Sequence, residues 1–240
     1  LQSIEEVCRE FQLKYQNENY AKILKLYLSC ALNRLADLST SWTSWISKLE
    51  AVRNTFARQA LPMVWDFTEV NPIVDKWEGA INWVSKVVDH SLPISGEGFV
   101  YQDDAANVLS VPGNVVISTD PPYYDNIPYS NLSDFFYFWF RRGLKSCFPE
   151  IFHTIVVPRA QELVANKERH GGKRNAQKFF ESGMFDAIKN MHDRKHPVYP
   201  ITIYYAFKQT EQSEKGVVST GWETFLQALI DANLTISGTW

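Results

Sequence analysis

Cysteine is scarce. Cys8, Cys30 and Cys147 are the only three in 240 residues, and they lie too far apart to form a CxxC pair. Neither a local zinc knuckle nor a disulfide framework is signalled, and the expected setting is reducing and cytoplasmic. Histidine is sparse as well: none of the five (His90, His153, His170, His192 and His196) falls in an HExxH or comparable spacing, so no metal site is expected. An excess of positive charge is also lacking. With 24 basic and 27 acidic residues the net charge is -3, so any contact with a polyanion has to come from a local patch. Nowhere does an apolar run approach the roughly 20 residues of a membrane span, and the opening "LQSIEEVCREFQLKY" has no basic start followed by an apolar core. The expectation is a soluble, non-secreted protein with no membrane partner.

What is present is apolar and aromatic. At 45% hydrophobic and 14% aromatic residues, the chain can bury a sizeable core as one large domain or two small ones. Residues 20–61 read as helices: Ile23, Leu24, Tyr27, Leu28, Ala31, Leu32 and Leu35 recur at three- and four-residue spacing. In "STSWTSWISKLE" the serines and threonines suit the cap of a new helix, and "WEGAINWVSKVVDHSL" is a further helix before the turn "SGEG".

From Phe99 the texture changes to short apolar runs separated by turns. "GFVYQDDA" and "NVVISTD" read as strands that end in acids, "LSDFFYFWFRRGLK" as a helix with Ser133 a possible cap, and "AQKFFESGMFDAIKNMHDR" as another helix. "HPVYPITIYYAFK" is the strongest strand, "GWETFLQALIDAN" a helix and "LTISGTW" a last strand. This order predicts an open α/β sheet over residues 99–240, with a basic loop insertion near 159–178, behind a helical region over 1–98.

The chemistry sits in "VVISTDPPYYDN", residues 115–126. Ligands of open α/β sheets bind at the carboxyl ends of strands, which is where Asp120 is expected. Pro121 and Pro122 fix their own φ and push the preceding residue toward extended backbone, so Asp-Pro-Pro is a stiff loop. A carboxylate and a proline carbonyl oxygen then form two acceptors suited to one planar amino group. Tyr123 adds an aromatic face beside them, which suits a nucleobase. A structural turn after a strand is the plainer alternative.

The tetrapeptide "DPPY" resembles the catalytic motif of amino-group DNA methyltransferases. The wider run "TDPPYYDNIPYSNLSDFFYFWFRR", with "VRNTFARQALPMVWDFTEVNPI", "RHGGKR" and "DANLTISGTW", is similar to the adenine-specific DNA methylases that carry a zinc ribbon, some of them associated with anti-phage gene clusters. The resemblance runs from about Tyr20 to Trp240. It implies a Rossmann-like methyltransferase sheet, S-adenosylmethionine as cofactor, double-stranded DNA with a flipped base as partner and, in some settings, defence-system proteins. It also implies that Asp120 and the Pro121 carbonyl hold an exocyclic amino group, adenine ahead of cytosine, while Tyr123 stacks on the base. Asp104, or Asp103 one residue earlier, matches the acid that the family sets beside the cofactor adenine; an acid capping a turn explains the same residues. The family's glycine-rich "DPFAGGG"-like cofactor loop and its zinc ribbon have no counterpart in residues 1–240, so the chain is expected to be an internal or carboxyl-terminal portion or a divergent short member. Two other functions stay open: a non-catalytic nucleic-acid-binding module that retains the base pocket, and a methyltransferase of RNA or protein.

Tyr124 and Asn126 continue the loop, and each could read a base edge or simply complete a turn. "KERHGGKR" gathers Lys167, Arg169, Lys173 and Arg174 around a Gly171-Gly172 hinge, either as a phosphate-contacting loop or as a solvated one. The aromatics of "DFFYFWF" read as core packing, and Arg141 and Arg142 as cations at a helix end. Asp66, Glu69 and Asn71 line either a pocket or a structural loop.

Overall fold

The computed structural model describes residues 1–57, 63–91, 96–107, 110–124, 127–205 and 220–239, apart from the side chains of Asp75 and Thr220. Two compact units emerge. One consists of Leu1–Gly96 and Tyr129–Pro158, the other of Glu97–Pro128 and Arg159–Trp240.

The first unit is mainly helical. Helix α1 (Gln2–Tyr15) buries only Ile4 and Cys8 and closes through Gln16 in left-handed geometry, with φ at 49°. The next residue, Asn17, accepts from the Tyr20 amide at 3.0 Å and caps α2 (Glu18–Leu38). The apolar stripe expected on this helix is only partly its buried face: Ala31 is buried, and Leu24, Leu28, Leu32 and Leu35 are half-buried. Ile23 and Tyr27 are exposed, whereas Ala21, Lys25, Ser29, Ala31 and Asn33 are buried. The reason is that α2 packs against three helices rather than one. Its seam toward α4 (Tyr129–Leu144) is narrow: a Cβ on Gly143 would lie 3.2 Å from the Ser29 hydroxyl oxygen, so small residues occupy both sides. Lys25 reaches Glu5 Oε1 at 3.5 Å and Ser146 Oγ at 3.5 Å, which gives its buried ammonium polar partners.

"STSWTSWISKLE" forms no helix. β1 (Ser44–Ile46) and β2 (Ala51–Arg53) pair antiparallel instead, and the turn between them puts Glu50 at a φ of 47°. Thr43 and Thr55, both fully buried, hold this hairpin: Thr43 donates to the Thr68 carbonyl at 2.8 Å and Thr55 to the Asp37 carbonyl at 2.7 Å. Asn71 caps a π-helical turn (Pro72–Lys76) by accepting from Ile73 and Val74, and α3 (Trp77–His90) follows directly. On α4, the half-buried Phe135 and Phe136 meet the Phe56 ring, each at 5.3 Å, and Tyr137 meets Phe152 at 5.5 Å, whereas Phe138 of the same run is exposed. The helix begins at Tyr129, which places Ser133 inside it rather than at a cap.

In the second unit, β3 (Ser118–Thr119) and β4 (Thr202–Ile203) pair parallel, with Ser118 opposite Thr202 and Thr119 opposite Ile203. A further bridge joins Val115 to Lys195 in the same sense. The expected strand at "GFVYQDDA" is unpaired among the described residues, with Phe99, Val100 and Tyr101 exposed, and residues 234–239 likewise carry no strand. Helices α5 (Lys173–Arg194) and α6 (Thr220–Asp231) pack on each other around one core. Ala176, Phe180, Met184, Ala187 and Ile188 are the buried residues of α5, and Phe180, Met184 and Ile188 pack in one cluster with Phe225, Ala228, Leu229 and Ala232. Phe180 and Ile188 are fully buried, and each such side chain contributes about 1.5–3 kcal/mol of transfer free energy. Among the described residues, no helix is long and apolar enough to cross a membrane.

Candidate functional site

Asp120 follows β3 directly, at the carboxyl edge of the parallel pair. It is exposed, and its carboxylate makes no hydrogen bond or ion pair with another described residue. Pro121, Pro122, Tyr123 and Tyr124 are all partly buried, so the loop descends from an exposed acid into packed aromatic rings.

The two tyrosines diverge. Tyr124 packs against the core between α5 and α6, its ring perpendicular to Phe180 at 5.0 Å. Its carbonyl accepts from the Ala165 amide at 2.6 Å. A Cβ on Gly221 would lie 2.7 Å from the Tyr124 Cβ, so α6 can approach the loop only because residue 221 has no side chain. Tyr124 is thus an anchor for the loop. Tyr123 contacts Tyr205, with ring centroids 5.6 Å apart and planes at 81°. Asn126 lies outside the described residues.

Asp103 and Asp104 are bound within their own loop. Asp104 accepts from the Ala106 amide at 3.0 Å through one oxygen and from Asn107 Nδ2 at 2.9 Å through the other, the pattern of an acid that closes a turn. The Ser110 amide donates to Asp103 at 3.0 Å, and that bond, joined by the Ser110 hydroxyl, holds the Asp103 carboxyl below the usual carboxylate range. Asn190 on α5 ties this loop down through the Ala105 and Asn107 carbonyls, at 3.0 and 2.5 Å, and Arg194 does so through the Val111 carbonyl at 3.1 Å. A carboxylate has about four lone-pair sites, so both acids keep acceptor capacity toward the ribose diol of a nucleoside cofactor. Among the described residues, no glycine-rich turn stands beside them.

The basic segment divides as well. Arg169 is paired with Glu162, both side chains largely buried at 18% and 13% exposure, and its amide donates to Asn166 Oδ1 at 2.9 Å. Lys167 is exposed beside Glu168 at 4.0 Å. Gly171 and Gly172 form a turn in which both have positive φ, at 67° and 123°, and the Gly172 amide donates to the Lys167 carbonyl at 2.8 Å. His170 stacks on Phe179 at 4.1 Å and closes this turn onto α5. Lys173 and Arg174 are exposed in the first turn of α5, which contains no acid and has no side-chain cap. A helix amino terminus favours anions, so two cations there repel the dipole until an anion compensates them.

The structure therefore brings Asp120, Pro121, Pro122 and Tyr123 together at one strand end, and assigns Tyr124, Arg169 and Asp104 definite packing or turn contacts. Tyr205 and Gly221 were not singled out in the sequence. The signal for Tyr205 is its register, since residues following paired positions of two parallel strands emerge side by side. For Gly221 no pattern in the chain points to Tyr124. Among the described residues, no group of three or more His, Cys, Asp or Glu side chains is placed to hold a metal ion. No family model matches the chain, and neither the curated proteins nor the solved structures hold a match to it.

Proposed function

We propose that this chain holds the target base of an S-adenosylmethionine-dependent methyltransferase that modifies an exocyclic amino group in DNA, adenine ahead of cytosine. The observation that carries this reading is the exposed, uncommitted Asp120 carboxylate at the carboxyl edge of a parallel strand pair, followed by two prolines and a tyrosine ring. The parallel β3–β4 pair, with α5 lying in the connection between its strands, supports an open α/β sheet of the Rossmann-like kind.

The mechanism is one of orientation. An exocyclic amine has its lone pair delocalised into the ring, so it is a poor nucleophile while planar. Asp120 and the Pro121 carbonyl accept hydrogen bonds from its two N–H groups and favour a pyramidal nitrogen whose lone pair points away from both acceptors. Tyr123 holds the base plane by stacking. The cofactor supplies the electrophilic methyl group when bound. No proton need leave before methyl transfer, so the work of Asp120 is positioning and charge stabilisation rather than deprotonation. Lys173 and Arg174 supply the local positive charge that the overall composition lacks and fit phosphate contact.

The test is mass analysis of nucleosides after the protein is incubated with duplex DNA, RNA and methyl-deuterated S-adenosylmethionine. Label on N6 of deoxyadenosine is the expected result. Label on RNA or on protein glutamine would move the substrate class, and DNA binding without label on any substrate would replace the enzyme by a base-binding module.

A further inference from the structure

We propose that Tyr205 is a positioning residue that sets the ring plane of Tyr123 for stacking on an extruded base, an inference that rests on the function proposed above. Thr119 lies opposite Ile203 in the parallel ladder, and the Tyr204 amide donates to the Thr119 carbonyl at 2.8 Å. Both strands therefore end at the same edge: Asp120 and its prolines follow Thr119 on one, and Tyr204 and then Tyr205 follow Ile203 on the other. Tyr205 is itself immobilised. Its ring lies parallel to Phe225 of α6, with centroids 4.2 Å apart and planes 4° from parallel, and Trp222 extends the stack at 6.0 Å. Phe225 is buried in the core that α6 shares with α5. Tyr123 meets this stack at 81°, an edge-to-face arrangement that restricts rotation about its side-chain bonds.

The consequence concerns the base. The Asp120 carboxylate and the Pro121 carbonyl can hold an amino group only if the base lies in their plane, and the ring of Tyr123 defines the plane in which a base stacks. Tyr124 cannot perform this task, because its ring is turned into the core against Phe180. The two tyrosines have separate duties: Tyr124 fixes where the loop sits, and Tyr205 fixes how Tyr123 is turned. A leucine at 205 fills part of the volume but offers no flat face. A phenylalanine keeps the ring.

Two readouts on the whole chain test this. In the first, 3-fluorotyrosine is placed at position 123 and its ¹⁹F resonance is compared in the unaltered protein, Tyr205→Phe and Tyr205→Leu. The Phe variant should keep the shift, and the Leu variant should move it through loss of the neighbouring ring current. An unmoved resonance in a folded Tyr205→Leu overturns the proposal without reference to activity; if Leu prevents folding, Tyr205→Met serves in its place. In the second, 2-aminopurine replaces the target adenine in duplex DNA and its fluorescence reports extrusion. Overall DNA affinity should stay within about twofold, while the extruded fraction falls about fivefold or more in Tyr205→Leu and is restored in Tyr205→Phe. Enhancement that survives Tyr205→Leu undiminished overturns the positioning role alone. No enhancement with the unaltered protein overturns it together with the functional reading.

Discussion

The four basic residues of "KERHGGKR" carry the same charge and have different work to do. Arg169 is half of a largely buried ion pair with Glu162, whereas Lys173 and Arg174 stand exposed at the amino terminus of α5. The double substitution Lys173→Ala with Arg174→Ala should weaken DNA binding uniformly across sequences. It should also reduce the slope of log affinity against log salt by about 2, measured by fluorescence anisotropy over a salt series. Arg169→Ala should instead remove this largely buried ion pair and destabilise the second unit by about 1–3 kcal/mol in urea unfolding, with a nearly unchanged salt slope. Composition could place the cations in one loop but could not separate these roles, because the partner Glu162 lies in a stretch with no pattern of its own.

Asp103 offers a pH test of the same kind. Its carboxyl titrates below the usual range because Ser110 donates to it. A group with a depressed folded pKa stabilises its loop above the unfolded value, and that contribution is lost as the pH falls through the folded one. The protection factor of the Ser110 amide should therefore decline below the ordinary carboxylate range of about 4, and Asp103→Asn should remove that decline. Protection that stays flat in the unaltered protein would show that Asp103 does not hold the loop. The alternative of an acid capping a turn was visible in "QDDA"; which oxygen binds which amide was not.

Helices with one strong apolar face were legible. "WEGAINWVSKVVDHSL" starts with α3 at Trp77 and runs past its end at His90, and "AQKFFESGMFDAIKNMHDR" falls within α5. α2 was legible as a helix but only partly in its orientation, because three neighbours bury it on more than one side. β1 and β2 were missed because serine and threonine serve turns as readily as helix caps, and here the buried Thr43 and Thr55 secure a hairpin. Gly221 near the start of α6 illustrates a contact invisible to periodicity. In an isolated helix Gly221→Ala would gain up to about 1 kcal/mol from propensity. Here the new Cβ would lie 2.7 Å from the Tyr124 Cβ and 3.0 Å from its Cγ, and overpacking of that kind costs about 1–3 kcal/mol. The clash should win. Gly221→Ala is expected to lower the urea midpoint and shift the Tyr124 ring resonances, whereas a rise in stability with unshifted resonances would refute the close approach.

The chain as a whole divides its tasks. The unit built from Glu97–Pro128 and Arg159–Trp240 contains the Asp-Pro-Pro-Tyr loop, Asp103, Asp104 and the basic segment, while the helical unit takes in Asp66, Glu69, Asn71 and also α4, which follows the loop in sequence. A linear division at residue 98 could not anticipate that assignment, since the packing of α4 on α2 joins positions about a hundred residues apart. The stiffness of Asp-Pro-Pro and its position after a strand were readable, because proline geometry is local. The Tyr205 stack was not, because it depends on the register of two strands separated by the whole of α5. The decisive measurement is single-turnover methyl transfer to duplex DNA by the unaltered protein and by Asp120→Ala, with thermal unfolding recorded alongside. Asp120 is exposed and makes no hydrogen bond or ion pair with another described residue, so the variant should melt within about 1 kcal/mol of the unaltered protein while transfer falls by about 10²–10³-fold or more. Transfer within a few fold in Asp120→Ala, or none by the unaltered protein, would contradict the proposed function.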